Sequence, residues 1–276
     1  MWWKDSTLQS IFRKKKNIET PSIYLVARPS IDFEQLGAYL SEVGGSEWLR
    51  RIEETEGLSP SAILCEFMGR NCYRSWAPGL NANVTRVRED SVEYLRNVLK
   101  SGHGSVFEHA QFSFVFHNVT RVFTHELVRH RAGVAISQES LRYVRLTDLG
   151  IRIPTVLEPH QAEIVNIVER LEEFQVDMAA AFGLDDEGVP FHYKKEVTSA
   201  LRRLAPIGLT TTIGWSSNVR TLRHVIEQRT SEGAEEEIRE VFQKVAGMLI
   251  EQEPALFGDY EQQEDGSYMS SLASKV

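Results

Sequence analysis

The order of apolar and polar residues divides the chain into runs of strand period and runs of helical period. Ser22-Ile23-Tyr24-Leu25-Val26-Ala27 is a short β-rich run ahead of Arg28-Pro29 and predicts a first strand. Residues 30–58 mix apolar and charged positions without a dominant period, and Gly44-Gly45 interrupts them. Ser59-Pro60 supplies start chemistry for a helix with Leu64, Phe67, Met68 and Cys72 on one face. A second helix is expected over 89–100, with Val92, Leu95, Val98 and Leu99 at helical spacing and Gly102 as its stop. Phe112, Phe114 and Phe116 alternate along 111–116, the pattern of a half-buried strand.

A helix over about 120–131 carries Val122, Phe123 and Leu127 inward and ends in Arg129-His130-Arg131. Ile151 to Pro154 reads as a strand end. Residues 159–183 form a long helix whose stripe of Ile164, Ile167, Val168, Leu171, Phe174, Met178 and Phe182 is predicted to be core. A helix over 193–204 and a β-branched strand over 209–213 follow. The helix over 218–229 buries Leu222, Val225 and Ile226, and Asn218 and Arg229 fall within about 40° of that stripe. An arginine on a core-facing stripe needs either a buried carboxylate or a site to point into. A last helix over 234–252 buries Ile238, Val241, Phe242, Val245 and Leu249, and the polar tail beyond Pro254 is expected to fray. With no internal repeat, one domain is expected over 23–255, between an extension (1–22) and a tail (256–276). The basic run Arg13-Lys14-Lys15-Lys16 in that extension is expected to be a solvated face.

The chain has 276 residues, 42% hydrophobic and 25% charged, as in ordinary globular proteins. A net charge of -8 argues against general nucleic-acid binding, so any anion must meet a local basic cluster. No apolar run is long enough to span a bilayer, and Met1-Trp2-Trp3-Lys4-Asp5 lacks the order of a signal peptide, so a cytoplasmic protein is expected. Cys65 and Cys72 share one predicted helix, too far apart for a disulfide and too few for a zinc site.

Five of the eight histidines lie between 103 and 130. In His125-Glu126-Leu127-Val128-Arg129-His130 the histidines are five apart, which rotates them about 140° from each other on a helix, so no metal site is expected. Arg129-His130-Arg131, followed by Ser140-Leu141-Arg142-Tyr143, concentrates positive charge and hydroxyls, either as helix-end capping or as a pocket for a phosphate and a polar ring. Glu126 stands one helical turn before both Arg129 and His130 and is placed to pair with either. Gly102-His103-Gly104-Ser105 joins small residues, which permit close approach of a ligand, to a histidine and a hydroxyl. With no strong nucleophile evident, chemistry carried by a cofactor is favoured.

These residues resemble the flavin-dependent thymidylate synthases. The family's Arg-His-Arg, a spacer, then Ser-x-Arg-Tyr is matched by Arg129-His130-Arg131 and Ser140-Leu141-Arg142-Tyr143, with eight spacer residues here where seven are usual. Gly102-His103-Gly104-Ser105 with Glu108-His109 is similar to an upstream motif of the family. Asn218-Val219-Arg220, Arg229, Ala234 and Glu237-Ile238-Arg239 are similar to its C-terminal pattern. Arg202 and Pro206 resemble a further segment, from which Leu201 and Ala205 depart, and Glu126 stands where glutamine is common.

The resemblance implies an α+β fold, a mixed sheet packed with long helices, assembled as a homotetramer. It implies FAD as cofactor, NADPH as reductant, methylenetetrahydrofolate as carbon donor and dUMP as acceptor, giving dTMP. By position, it assigns His103, Ser105, Arg129, His130, Arg131, Asn218, Arg220 and His224 to FAD. Glu126, Gln138, Ser140, Arg142, Arg202 and Arg229 fall to the nucleotide, with Arg142 on phosphate, Arg229 on the pyrimidine ring, and Arg229 and Ser140 at the reaction. The alternatives are methylation of another pyrimidine nucleotide such as UMP, or flavin and nucleotide binding without catalysis. If Glu126 lies near a phosphate, Arg129 or His130 is expected to neutralise it.

Overall fold

The computed structural model describes residues 16–79, 82, 84 and 86–272. Arg13, Lys14 and Lys15 of the expected extension, and 273–276 of the expected tail, lie outside them. The chain is α+β. Contacts group the described residues into two compact units: a first of residues 16–22, His117–Thr124 and Gln138–Thr212, and a second of Ile23–Phe116, His125–Ser137 and residues 213–272. A four-stranded sheet is ordered β1-β2-β4-β3, with β1 Ser22–Ala27, β2 Gln111–Thr120, β3 Val134–Gln138 and β4 Thr210–Asn218. Among the described residues no helix is long and apolar enough to cross a membrane.

In the second unit, the segment without a clear period forms two helices, α1 Phe33–Val43 and α2 Ser46–Glu54. Asp32 caps α1 by accepting from Gln35 N at 3.0 Å, and Gly44 closes it at φ 75°, where glycine carries no Cβ penalty. In α3, Pro60–Tyr73, Ser59 accepts from Ala62 N at 3.1 Å. Its buried face runs through Ala62, Ile63, Glu66, Gly69 and Arg70 instead of the predicted face, and Cys72 is exposed. The fully buried Arg70 explains the difference. Arg70 Nε donates to Glu66 at 2.7 Å, while Nη1 and Nη2 donate to the carbonyls of Ser75 (3.1 Å) and Arg88 (2.6 Å). A satisfied ion pair thus occupies an interior face that an apolar count does not reveal. The next helix, α4, is Ser91–Lys100.

Phe112, Phe114 and Phe116 of β2 are buried, and their rings pack with Trp215 of β4. Asn118 has φ 57°, and beyond it the buried positions change phase to Val119 and Thr120. An asparagine tolerates this left-handed conformation, which shifts the alternation of the strand. Helix α5, Arg121–Leu127, is shorter than predicted and ends before Arg129. Later in the chain, α8 (Val219–Thr230) and α9 (Glu236–Gln252) bury the predicted stripes. Each fully buried aliphatic or phenylalanine side chain contributes about 1.5–3 kcal/mol.

The described part of the expected fraying tail, residues 254–272, is structured. A short α10, Pro254–Phe257, leads into the antiparallel hairpin β5 (Tyr260–Gln262) and β6 (Tyr268–Ser270). Buried Arg223 holds it, with Nη1 donating to Asp259 Oδ1 at 2.8 Å and Nη2 to Oδ2 at 2.6 Å. Leu256, Phe257 and Tyr260 are buried, so the polar composition of this segment conceals an apolar anchor.

In the first unit, Leu146, Ile151, Val168 and Leu209 form a core cluster. Helix α6, Gln161–Ala181, buries Val165 and Val168 but leaves Ile167 and Phe174 exposed, as is Phe182 just after it. Only part of its predicted core stripe is therefore interior. Lys16 is not a solvated charge: it is buried, bonded to Glu172 of α6 and donating to Leu146 O at 2.9 Å. Helix α7, Phe191–Leu201, runs into a 3-10 turn at Arg202–Leu204.

Candidate active site

The residues that the resemblance assigns to the flavin all lie in the second unit, around two cavities that share Arg220. One, of about 500 Å³, is lined by Arg129, His130, Arg131, Gly133, Asn218, Arg220 and His224, with Glu108, Ala132 and Thr221. The other, of about 680 Å³, is lined by His103, Ser105 and Arg220, together with Tyr73, Ser75, Arg86 and Arg88. The backbone carbonyls of Ser75 and Arg88 are the acceptors of buried Arg70, so α3 pins that wall.

Local chemistry explains the first cavity. Asn218 ends β4 and caps α8, its side-chain carbonyl accepting from Thr221 N at 2.8 Å. One turn on, Arg220 and His224 stand on the exposed face while Leu222, Val225 and Ile226 face the core. Arg220 Nη1 donates to Glu108 Oε1 at 2.5 Å. Gly104 is packed so closely that a Cβ there would lie 2.9 Å from Arg220 Nε. After α5, Arg129 lies on the closing turn, its N–H donating to Glu126 O at 3.3 Å, and Arg131 follows two residues on; both are exposed. Gly133, in the longer spacer, has φ 68°, and its carbonyl accepts from Asn218 N at 3.1 Å. A Cβ at Gly133 would meet Asn218 Nδ2 at 2.2 Å, which accounts for glycine at this point of the spacer.

Arg229 is largely buried and triply held. Nη1 donates to Glu126 Oε2 at 2.5 Å, Nη2 to Glu126 O at 3.0 Å, and Nε to His130 Nε2 at 2.7 Å. The partner of Glu126 is thus Arg229, and not Arg129 or His130 as expected, because α5 stops before the turn that would align them. Burial holds the His130 imidazole down at a pKa of about 4, with Arg229 and His224 adding to the effect and Glu126 opposing it.

The first unit holds the remaining predicted nucleotide residues. Gln138, Ser140 and Arg202 line a cavity of about 420 Å³ with Arg121, Glu139, Leu141 and Arg203. Arg142 lines a separate, more apolar cavity of about 220 Å³, again with Arg202, beside the stacked rings of Tyr143 and Phe191. Glu126 and Arg229 belong to the second unit and line neither of these. Arg121 and Arg203 went unnoticed in the sequence. Arg121 Nη2 donates to Glu139 O at 3.3 Å and its buried Nε has no partner. Burial holds its guanidinium below the ordinary range, with Glu139 opposing and Arg202 reinforcing the shift. Nothing in its spacing distinguishes Arg121 from a surface residue at a helix start; only the return of 202–203 gives it company. Glu139 does not neutralise these cations through a close pair, its carboxylate accepting from Thr212 N at 3.1 Å.

Fold and cavities define a class: an α+β protein with arginine-lined cavities that offer positive charge to anionic ligands. Residues 57–255 match the family model described as thymidylate synthase complementing protein. The chain belongs to the flavin-dependent thymidylate synthase family. It is 34% identical over 247 residues to the flavin-dependent thymidylate synthase of Mycobacterium marinum, covering 82% of this chain and 96% of that one. It is also 34% identical to that of Mycobacterium tuberculosis, over 72% of this chain and 79% of the relative. Thymidylate synthase X of Helicobacter pylori, in a crystal structure with FAD and dUMP, superposes with a TM-score of 0.53 at 19% identity, covering 72% of this chain and 93% of that one.

Proposed function

We propose that the protein makes dTMP from dUMP by FAD-dependent reductive methylation, with methylenetetrahydrofolate as carbon donor and NADPH as reductant, and works as a homotetramer. The observation that carries this is the segregation of the assigned residues. Those given to the flavin surround two cavities joined at Arg220, and Gln138, Ser140 and Arg202, given to the nucleotide, surround another. The residues fit a flavin dinucleotide. Arg129, Arg131 and Arg220 bring charge for a pyrophosphate, and the missing side chains of Gly104 and Gly133 let Arg220 and Asn218 pack onto the backbone at the cavity wall. Bound FAD supplies the redox chemistry of the reaction. Ser140, Arg202 and Arg121 bind the nucleotide phosphate, and the pyrimidine-ring role of Arg229 is carried by the resemblance. Fixed donors that need no reorganisation at the moment of reaction are the protein's contribution. Exposed Ile167, Phe174 and Phe182 at α6 support self-association.

Purified protein is expected to be yellow or to take up FAD, and to turn over dUMP in preference to UMP with NADPH and methylenetetrahydrofolate. Preference for UMP moves the acceptor to another pyrimidine nucleotide. Flavin binding without turnover, and failure to support growth of a thymidine-requiring strain, overturn the assignment as a synthase. Sedimentation as a monomer overturns the tetramer.

A further inference from the structure

We propose that Glu126 is a positioning residue: by clamping Arg229 it fixes His130 as a neutral imidazole with its proton on Nδ1, so that the Arg220 cavity receives a ring N–H donor at this position. The inference rests on the flavin reading for the ligand, but the clamp itself is read from geometry. Three of the five guanidinium donors of Arg229 are consumed, two by Glu126 and one by His130. A guanidinium nitrogen only donates, so His130 Nε2, 2.7 Å from Arg229 Nε, must be the acceptor. A neutral imidazole that accepts at Nε2 carries its hydrogen at Nδ1. The backbone carbonyl of residue 126 survives any substitution there, so the carboxylate on Nη1 is the arm of the clamp that the side chain of Glu126 itself supplies.

The consequence reaches across the site. His130 lines the 500 Å³ cavity, whereas Glu126 and Arg229 do not. Glu126 therefore acts on that cavity through two intervening side chains, without touching what binds there. The ring of His224, at 6.0 Å and 73° to that of His130, closes the other side. One N–H on each terminal nitrogen of Arg229 is not used in these three bonds. Glu126 so sets the donor pattern of both an arginine assigned to the nucleotide and a histidine assigned to the flavin.

Protein carrying ¹⁵N-labelled imidazoles, prepared without FAD at pH 7.5, tests the clamp by the ring-nitrogen shifts, with His130→Gln identifying the signal. The expected wild-type spectrum has His130 protonated on Nδ1. Glu126→Gln retains an acceptor oxygen and keeps this form. Glu126→Ala and Arg229→Lys, the latter lacking the planar fork, shift His130 toward the Nε2–H form. In the same series FAD affinity, read by flavin fluorescence, falls about tenfold in Glu126→Ala and by no more than about threefold in Glu126→Gln, the size of one lost hydrogen bond. Wild-type His130 protonated on Nε2, or a spectrum unmoved in Glu126→Ala or in Arg229→Lys, overturns the proposal, as do equal losses of FAD affinity in the two Glu126 variants. A wild-type protein that shows the Nδ1–H form and binds no FAD supports the clamp and refutes the flavin reading instead. Arg229→Lys and Glu126→Gln keep the test decisive if the alanine variant does not fold.

Discussion

Gly133→Ala tests how far the spacer between the two motifs is built into the cavity. An alanine there must either keep φ 68° or rearrange the turn, and its Cβ would stand 2.2 Å from Asn218 Nδ2, 2.9 Å from Asn218 Cγ and 2.7 Å from Thr221 Oγ1. Asn218 is a side chain and is able to swing away, but only by giving up the bond to Thr221 N that caps α8. Holding alanine in the left-handed region costs about 1–2 kcal/mol. Losing the cap costs about 1 kcal/mol more, for a sum of roughly 2–3 kcal/mol. Urea midpoints read the cost, with Asn218→Ala and the double variant completing a cycle. Asn218→Ala alone is expected to lose only the cap, about 1 kcal/mol. In the double variant the cap is already absent and the worst contact has gone, so its loss falls short of the sum of the two single losses by about 1 kcal/mol. FAD titration is expected to weaken in Gly133→Ala, since Asn218 and Thr221 line the same cavity. A loss under about 0.5 kcal/mol for Gly133→Ala, or additivity in the cycle, would refute the reasoning.

Further outcomes follow from other contacts. Asp259→Ala leaves the Arg223 guanidinium buried without its carboxylate and is expected to cost about 3–5 kcal/mol by denaturant unfolding, whereas a frayed tail would cost nothing measurable. His130, held at about 4 when folded against an ordinary value of 6.5, makes the unfolded state the better proton binder between those values. Its contribution to stability is complete above 6.5 and is lost as pH falls toward 4. His130→Gln should therefore flatten the pH dependence of the urea midpoint in that window, and an unchanged slope would count against a neutral His130. Arg202→Ala and Arg121→Ala are expected to weaken dUMP binding about tenfold or more, with FAD binding little changed, as calorimetric titrations of each ligand will show. Arg229→Ala removes the clamp's fork altogether and should lower FAD affinity by at least the roughly tenfold expected of Glu126→Ala, with a larger loss in nucleotide binding, both read by titration of each ligand.

Much of the architecture was written in periodicity. The stripes of α8 and α9 bury the residues that their spacing picks out, because a helix packed along one face repeats that choice at every turn. The same rule failed on α3, where buried Arg70 and Glu66 neutralise each other, and on α6, where apolar residues stay exposed. It failed again beyond residue 254, where one ion pair and three apolar side chains anchor an otherwise polar segment. Periodicity registers whether a residue is apolar, not whether a polar one has a partner.

The sequence by itself determined the family, whose model matches residues 57–255, and with it the identity of most candidate ligand-binding side chains. Local chemistry was also legible in it: Asn218 as a cap, Arg229 as an arginine in need of a partner. Only the tertiary structure decided which partner. Arg229 met Glu126 and His130, Gly104 met Arg220, Gly133 met Asn218, and Arg121 came to line a cavity with Arg202. Each pair joins residues far apart in the chain, so its existence depends on where α5, α8 and the strands return in space. Short-range preference fixes the elements; the charges and hydrogen-bond donors that meet across them are set by packing alone.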